Sequence, residues 1–103
     1  MTEHVEKFRL ACADWLDKQK AADVLNDTRK ITFAEIASGI EAPSEAAKSR
    51  LAMISQDWKE HTKKTTEANH EARRANMVVK LRQMEFDAWR TEAANARKER
   101  GNY

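Results

Sequence analysis

Starting at Ala47 and stepping alternately by four and three, the chain lands on Leu51, Ile54, Trp58, His61, Thr65, Ala68, Ala72, Ala75, Val79, Arg82, Phe86, Trp89, Ala93 and Ala96. Most of these residues are apolar or small, and the register holds across seven heptads. A 3.5-residue repeat sustained over that length is the seam of a left-handed helical supercoil. The positions between are mainly Lys, Arg, Glu, Gln and Asn, which suit a solvated face. Pro43 stands where a first-turn proline is tolerated, Ser44 could instead be the cap, and Gly101 is a plausible stop. The spacing predicts one helix over about 44–99, roughly 80 Å long at about 1.5 Å per residue, which no globular core of this chain could enclose.

Composition narrows the remainder. The 103 residues include two Gly and one Pro, and Ala, Glu, Lys and Arg dominate. A β-sandwich or a doubly wound α/β fold needs turn residues at regular intervals, and two glycines cannot supply them. The expected class is all-α, in one helical module.

The first half repeats the pattern more weakly, through Val5, Phe8, Cys12, Trp15, Gln19, Ala22, Asn26, Arg29, Phe33, Ile36 and Ile40. Either one helix runs unbroken over about 3–38, or it stops near Asn26–Asp27 and restarts at Thr32, where Thr32-Phe33-Ala34-Glu35 fits a capping box. Continuity is the preferred reading, because no Gly or Pro occurs before Gly39. The stretch 39–43 is the convincing turn, and folding back there makes an elongated antiparallel helical hairpin. Centred near Ala42, that turn brings together positions whose numbers sum to about 84. Trp15 then faces Ala68, Cys12 faces Ala72, Phe8 faces Ala75 and Gln19 faces Thr65, large against small as close packing demands. Asn26, Arg29 and His61 form a polar layer near Trp58.

The arms are unequal on this reading. A first helix starting near residue 3 covers the second only as far as Val79–Arg82, leaving an apolar extension beyond. A second stripe, Met77, Leu81, Met84 and Ala88, widens the apolar face there. Burial of Phe86 or Trp89 is worth about 1.5–3 kcal/mol or more each, so these side chains call for a cover. The expected interface, between two copies or with another protein, is Met77, Leu81, Met84, Phe86, Trp89 and Ala93, with Arg82 and Arg90 at its rim.

Charge is unevenly distributed. Residues 1–42 carry six Lys/Arg and eight Asp/Glu, and residues 43–103 carry thirteen and nine. Opposite net charge would help the halves lie side by side, at about 0–1 kcal/mol per exposed pair. Between Lys48 and Arg82 nine basic residues stand against four acidic ones. Lys59, Lys63, Lys64, Arg73, Arg74 and Lys80 form a candidate nucleic-acid face that could follow a phosphate backbone. No aromatic residue is interleaved with Lys63-Lys64 or Arg73-Arg74, so base stacking has no support. Residues 32–53 loosely match a helix-turn-helix, with Ser44 to Leu51 opening the recognition helix. There Gly39 falls early, the turn is long and the supposed recognition helix does not stop.

No constellation points to catalysis or to a cofactor. Glu67-Ala68-Asn69-His70 has the Glu-x-x-His spacing of di-iron bundles, but with Ala68 and Ala72 on the seam both ligands would point sideways to solvent. His61 lies on the seam as an interface histidine, with a pH-sensitive contact as its sharper reading. Cys12, the one cysteine, lies on an apolar face with nothing to activate it. The N-terminus is too charged for a signal peptide, and the longest run of large apolar residues, Met77-Val78-Val79, is far short of the roughly 20 that cross a bilayer. No membrane association is expected.

The ending Ala88-Trp89-Arg90-Thr91-Glu92-Ala93-Ala94-Asn95-Ala96-Arg97-Lys98-Glu99, with the upstream Leu25-Asn26-Asp27-Thr28-Arg29-Lys30, resembles small helical proteins encoded in the early regions of bacteriophages and prophages. That resemblance implies a cytoplasmic accessory protein of an infected cell that binds and modulates a host or phage machine for DNA processing or defence. The combined expectation is a non-enzymatic helical adaptor or inhibitor, homodimeric through its C-terminal extension. Direct nucleic-acid binding through Lys59 to Arg82, or through the helix-turn-helix-like segment, is the alternative.

Overall fold

The structure is a computed structural model and describes residues 2–101. Four helices follow one another, α1 (Thr2–Asp27), α2 (Arg29–Ser38), α3 (Glu45–Ile54) and α4 (Gln56–Gly101), and no strand occurs among the described residues. They form a rod of 87 × 16 × 16 Å, with α1 antiparallel to the much longer α4 and the α2–α3 pair closing one end. This is the elongated hairpin with a long C-terminal helix that the heptads predict.

Each predicted arm is nevertheless two helices. The first breaks at Thr28, whose Oγ1 donates to the Val24 carbonyl at 2.7 Å, a back-bond that bends helices. The helix resumes at once at Arg29, so Thr32 lies inside α2 and is not its cap. The stop near Asn26–Asp27 is met, while the restart at Thr32 and the unbroken helix are not. The second arm breaks at Ser55, which is extended at φ −67°, ψ 151°. Its hydroxyl donates to the Ala52 carbonyl at 2.6 Å and accepts from the Trp58 amide at 3.2 Å. One side chain thus closes α3 and opens α4, against the expected continuity over 44–99. Ser44 caps α3, accepting from the Ala47 amide at 3.1 Å with Pro43 just outside. Ser55→Ala removes both bonds and is expected to cost about 1 kcal/mol in a denaturant titration.

The break at Ser55 resets the pairing. At the closed end the expected register holds, for Phe33, Ala34, Ala37 and Ser38 share a groove with Glu45, Lys48 and Ser49. Yet Phe33 also meets Trp58 edge to face, ring centroids 4.9 Å apart. The chain from Ser49 to Trp58 therefore makes no net advance along the first arm. Every later pair is displaced accordingly. Asn26 bonds Asn69 at 2.9 Å instead of lying near Trp58, and His4 stacks on Trp89 at 5.7 Å. Phe8 shares a groove with Phe86 and does not face Ala75, so the size-matched pairs proposed for Trp15, Cys12, Phe8 and Gln19 are all out of register.

The heptad stripe itself is correct from Trp58 to Ala93, where every position on it is buried or half-buried. Among the described residues the buried ones are small, namely Ala11, Ala22, Ala52, Ala72, Ala75 and Thr65, and no large side chain is completely enclosed. Two helices in contact have no third to close over a big residue, so alanines hold the axis of contact. The aromatic rings lie at its margins, half covered.

Candidate functional site

The C-terminal end is better covered than unequal arms imply. Because α1 reaches Trp89, the uncovered part of α4 begins after it, not after Val79–Arg82. Phe86 and Trp89 are half-buried and tilted on each other at 5.9 Å, with Val5, Phe8 and His4 of α1 beside them. Arg90 sits over the Phe86 ring at 5.8 Å, a cation–π contact. Arg82 is no free rim cation, since its Nη1 donates to both Glu85 carboxylate oxygens at 2.9 and 3.0 Å. Beyond Trp89 an open groove of about 670 Å³ is lined by Val5, Phe86, Trp89, Ala93, Ala94 and Arg97, among others. Among the described residues beyond Trp89 the side chains are small, polar or charged, so the apolar overhang there is Ala93, Ala94 and Ala96.

The second apolar stripe is the one left in solvent. Met77 and Met84 are each 69% exposed and Leu81 is 49% exposed, on the side of α4 away from α1. Nothing among the described residues covers them. Lys59, Lys63, Thr66, His70, Arg73, Met77, Lys80 and Met84 continue the same four-and-three stepping along that outer side, and all eight are exposed. No acidic residue interrupts this strip. Lys64 and Arg74 lie on a neighbouring strip with Glu60, Glu67 and Glu71, where charges alternate. The six candidate basic residues thus divide into four on an acid-free row and two that are interspersed with carboxylates.

The charge difference between the arms does little to hold them together. Among the described residues one ion pair joins them, Lys18 to Glu71 at 4.0 Å, and it links a base of the acidic arm to an acid of the basic one. The other pairs are local to one helix. Lys7, hydrogen-bonded to Glu3, holds that carboxyl below its usual range, and Arg9 does the same to Glu6 while its own proton is held more tightly.

Groups with chemical potential are dispersed. Glu67 and His70 are exposed and border a shallow groove with Glu71 and Arg74. Among the described residues no three His, Cys, Asp or Glu side chains gather as metal ligands. His61 is half-buried, stacked on Trp58 at 5.4 Å, with Arg29 over the same indole at 5.3 Å. Two members of the expected polar layer therefore meet at Trp58, and Asn26 does not join them. Cys12 is half-buried on the seam.

Sequence reasoning missed one surface. Leu51, Met53 and Ile54 are 43%, 61% and 66% exposed and line an apolar groove of about 570 Å³ with Ala47 and Arg50. The stripe assigned Leu51 and Ile54 to the seam, but the Ser55 break turns α3 so that Ala52 faces inward. The signal available for it is Ser55-Gln56-Asp57, a cap followed by a first-turn acid. The supposed recognition helix does stop, at Ile54, and its exposed face is apolar with one cation, Arg50, which does not suit a phosphate backbone. No described helix is long and apolar enough to cross a membrane.

No protein-family model, curated protein or solved structure matches this chain.

Proposed function

We propose that this protein is a non-enzymatic docking rod, an adaptor or inhibitor whose long helix α4 is presented to a macromolecular partner. The observation that carries the reading is the solvent exposure of Met77, Leu81 and Met84 on an uncovered helix face. Apolar side chains spaced at i, i+4 and i+7 are the anchors with which a helix enters a groove or packs on another helix. The groove beside Phe86, Trp89 and Ala93 offers a second contact at the end of the rod. The likeness of the C-terminal segment to phage early-region proteins supports a partner in a host or phage protein machine, in the bacterial cytoplasm. A second copy of the chain is the other candidate occupant.

The triple variant Met77→Asp/Leu81→Asp/Met84→Asp tests this. These side chains are 49–69% exposed on the side of α4 away from α1, so the circular dichroism of the variant is expected to match the wild type. Immobilised wild type is expected to retain a defined protein from bacterial lysate that the variant loses. Equal retention by both proteins sinks the reading.

One observation favours a second reading. The acid-free row Lys59, Lys63, Arg73 and Lys80 fits a phosphate backbone. Direct nucleic-acid binding through it predicts a gel shift that weakens steeply as salt rises.

A further inference from the structure

The outer strips of the two arms are complementary, and the hairpin does not use that complementarity. On α4 the strip carries four positive charges, Lys59, Lys63, Arg73 and Lys80, beside Met77 and Met84, with no acid. Its counterpart on α1 steps through Glu6, Leu10, Ala13, Asp17, Lys20, Val24 and Asp27, three acids to one base, with Asp14 and Lys7 on the adjoining row. Leu10 and Val24 are 54% and 53% exposed, and the three aspartates are exposed as well. Among the described residues, none of Asp14, Asp17, Asp27, Lys59, Lys63 or Lys80 has an ion-pair partner within its own chain. Each strip therefore has apolar side chains at helical spacing inside charges of one dominant sign, and the signs are opposite.

We infer that the acidic strip of α1 in one copy docks on the basic strip of α4 in a second copy. This rests on reading the outer face of α4 as a docking surface, and it names the occupant. The two strips lie on opposite edges of one hairpin, so the contact is heterologous. Each added copy leaves one strip of each sign free, and such contacts propagate as an open row rather than closing as a dimer. Leu10 and Val24 stand about 21 Å apart along α1 and Met77 and Met84 about 10 Å apart along α4, so one register seats one apolar pair and the charges set which edge meets which. Because the charges stand in solvent, the association is sensitive to salt.

Charge exchange tests the inference with the full chain. One variant, Lys59→Glu/Lys63→Glu/Arg73→Glu/Lys80→Glu, has two acidic edges. The other, Asp14→Lys/Asp17→Lys/Asp27→Lys, has two basic edges. Sedimentation velocity is run at the highest attainable protein concentration, in about 20 mM and about 500 mM salt, where the Debye length falls from roughly 20 Å to roughly 4 Å. Wild type is expected to form a concentration-dependent series of species at low salt and to revert to monomer at high salt. Each variant alone is expected to lose every species above monomer. An equimolar mixture of the two is expected to recover them, which also shows that both variants are folded.

A mixture that stays monomeric while wild type associates overturns the inference. So does a discrete dimer indifferent to both sets of substitutions, which would place the contact at the terminal groove. A wild type that is monomeric and instead shifts a DNA duplex through the lysine row overturns it as well. None of these results touches the docking reading, which fails only when lysate capture is indifferent to Met77, Leu81 and Met84.

Discussion

Ala72→Leu is expected to lower the melting temperature by about 5–15 °C, from an overpacking cost of about 1–3 kcal/mol in a small domain. Ala72 is 3% exposed, in the middle of the α1–α4 contact, and the fully covered Ala22 lies within a turn of it by the register of the Asn26–Asn69 and Lys18–Glu71 pairs. Three added heavy atoms there must push the arms apart, and a rod 16 Å across has no other layer to take up the strain. The loss spreads along the seam, because separating two helices at one alanine also loosens the contact at Ala75 and Ala11. Ala88→Leu, on the exposed side of the same helix, is the control and is expected to leave the melt unchanged. Calorimetry of both variants decides the matter. Equal melts would mean that the alanine seam is not where the arms meet.

Trp58→Ala is the second large effect, about 3 kcal/mol, at the low end for an aromatic truncation because the ring is half-buried. Phe33 meets the indole at 4.9 Å, His61 stacks on it and Arg29 covers it, so one side chain ties α2 to the start of α4. The loss is expected to be local. In native-state hydrogen exchange the amides of α2 and α3 should lose protection, while those between Thr65 and Val79 keep theirs. Trp58→Phe keeps an edge-to-face partner for Phe33 and is expected to recover part of the loss. Uniform loss of protection along the whole rod would show that the closed end and the long seam unfold as one unit.

The two variants probe parts of the molecule that were unequally legible in the sequence. The α4 stripe from Trp58 to Ala93 could be read residue by residue, because helical periodicity is a local property and a side chain on that face has one direction to go. Local chemistry was legible at Ser44, whose hydroxyl caps α3 as a serine before an acidic first turn does. At Ser55 the same kind of signal is present, within a heptad repeat that runs straight through it. Periodicity records which face is apolar. It carries no information on whether the backbone is continuous, since a break that preserves composition leaves the count nearly intact.

The candidate interface shows the same division. Met77, Leu81 and Met84 were recognisable as a stripe that one neighbour could not cover, and they are exposed. Phe86 and Trp89 were placed beyond the reach of the first arm, and they lie beside His4, Val5 and Phe8. That difference follows from a single serine. The segment between Ser49 and Trp58 makes no advance along the rod, so α1 meets α4 about nine residues later than a simple hairpin allows.

From the sequence alone came the helical class, the elongated shape and the side of α4 that turns inward, since all three depend on spacing within one stretch of chain. Which residues face one another across the arms, and so which rings remain for a partner, was decided only in the folded molecule. Pairing is the sum of every advance and reversal since the turn. One hydroxyl that ends one helix and begins the next is enough to change that sum.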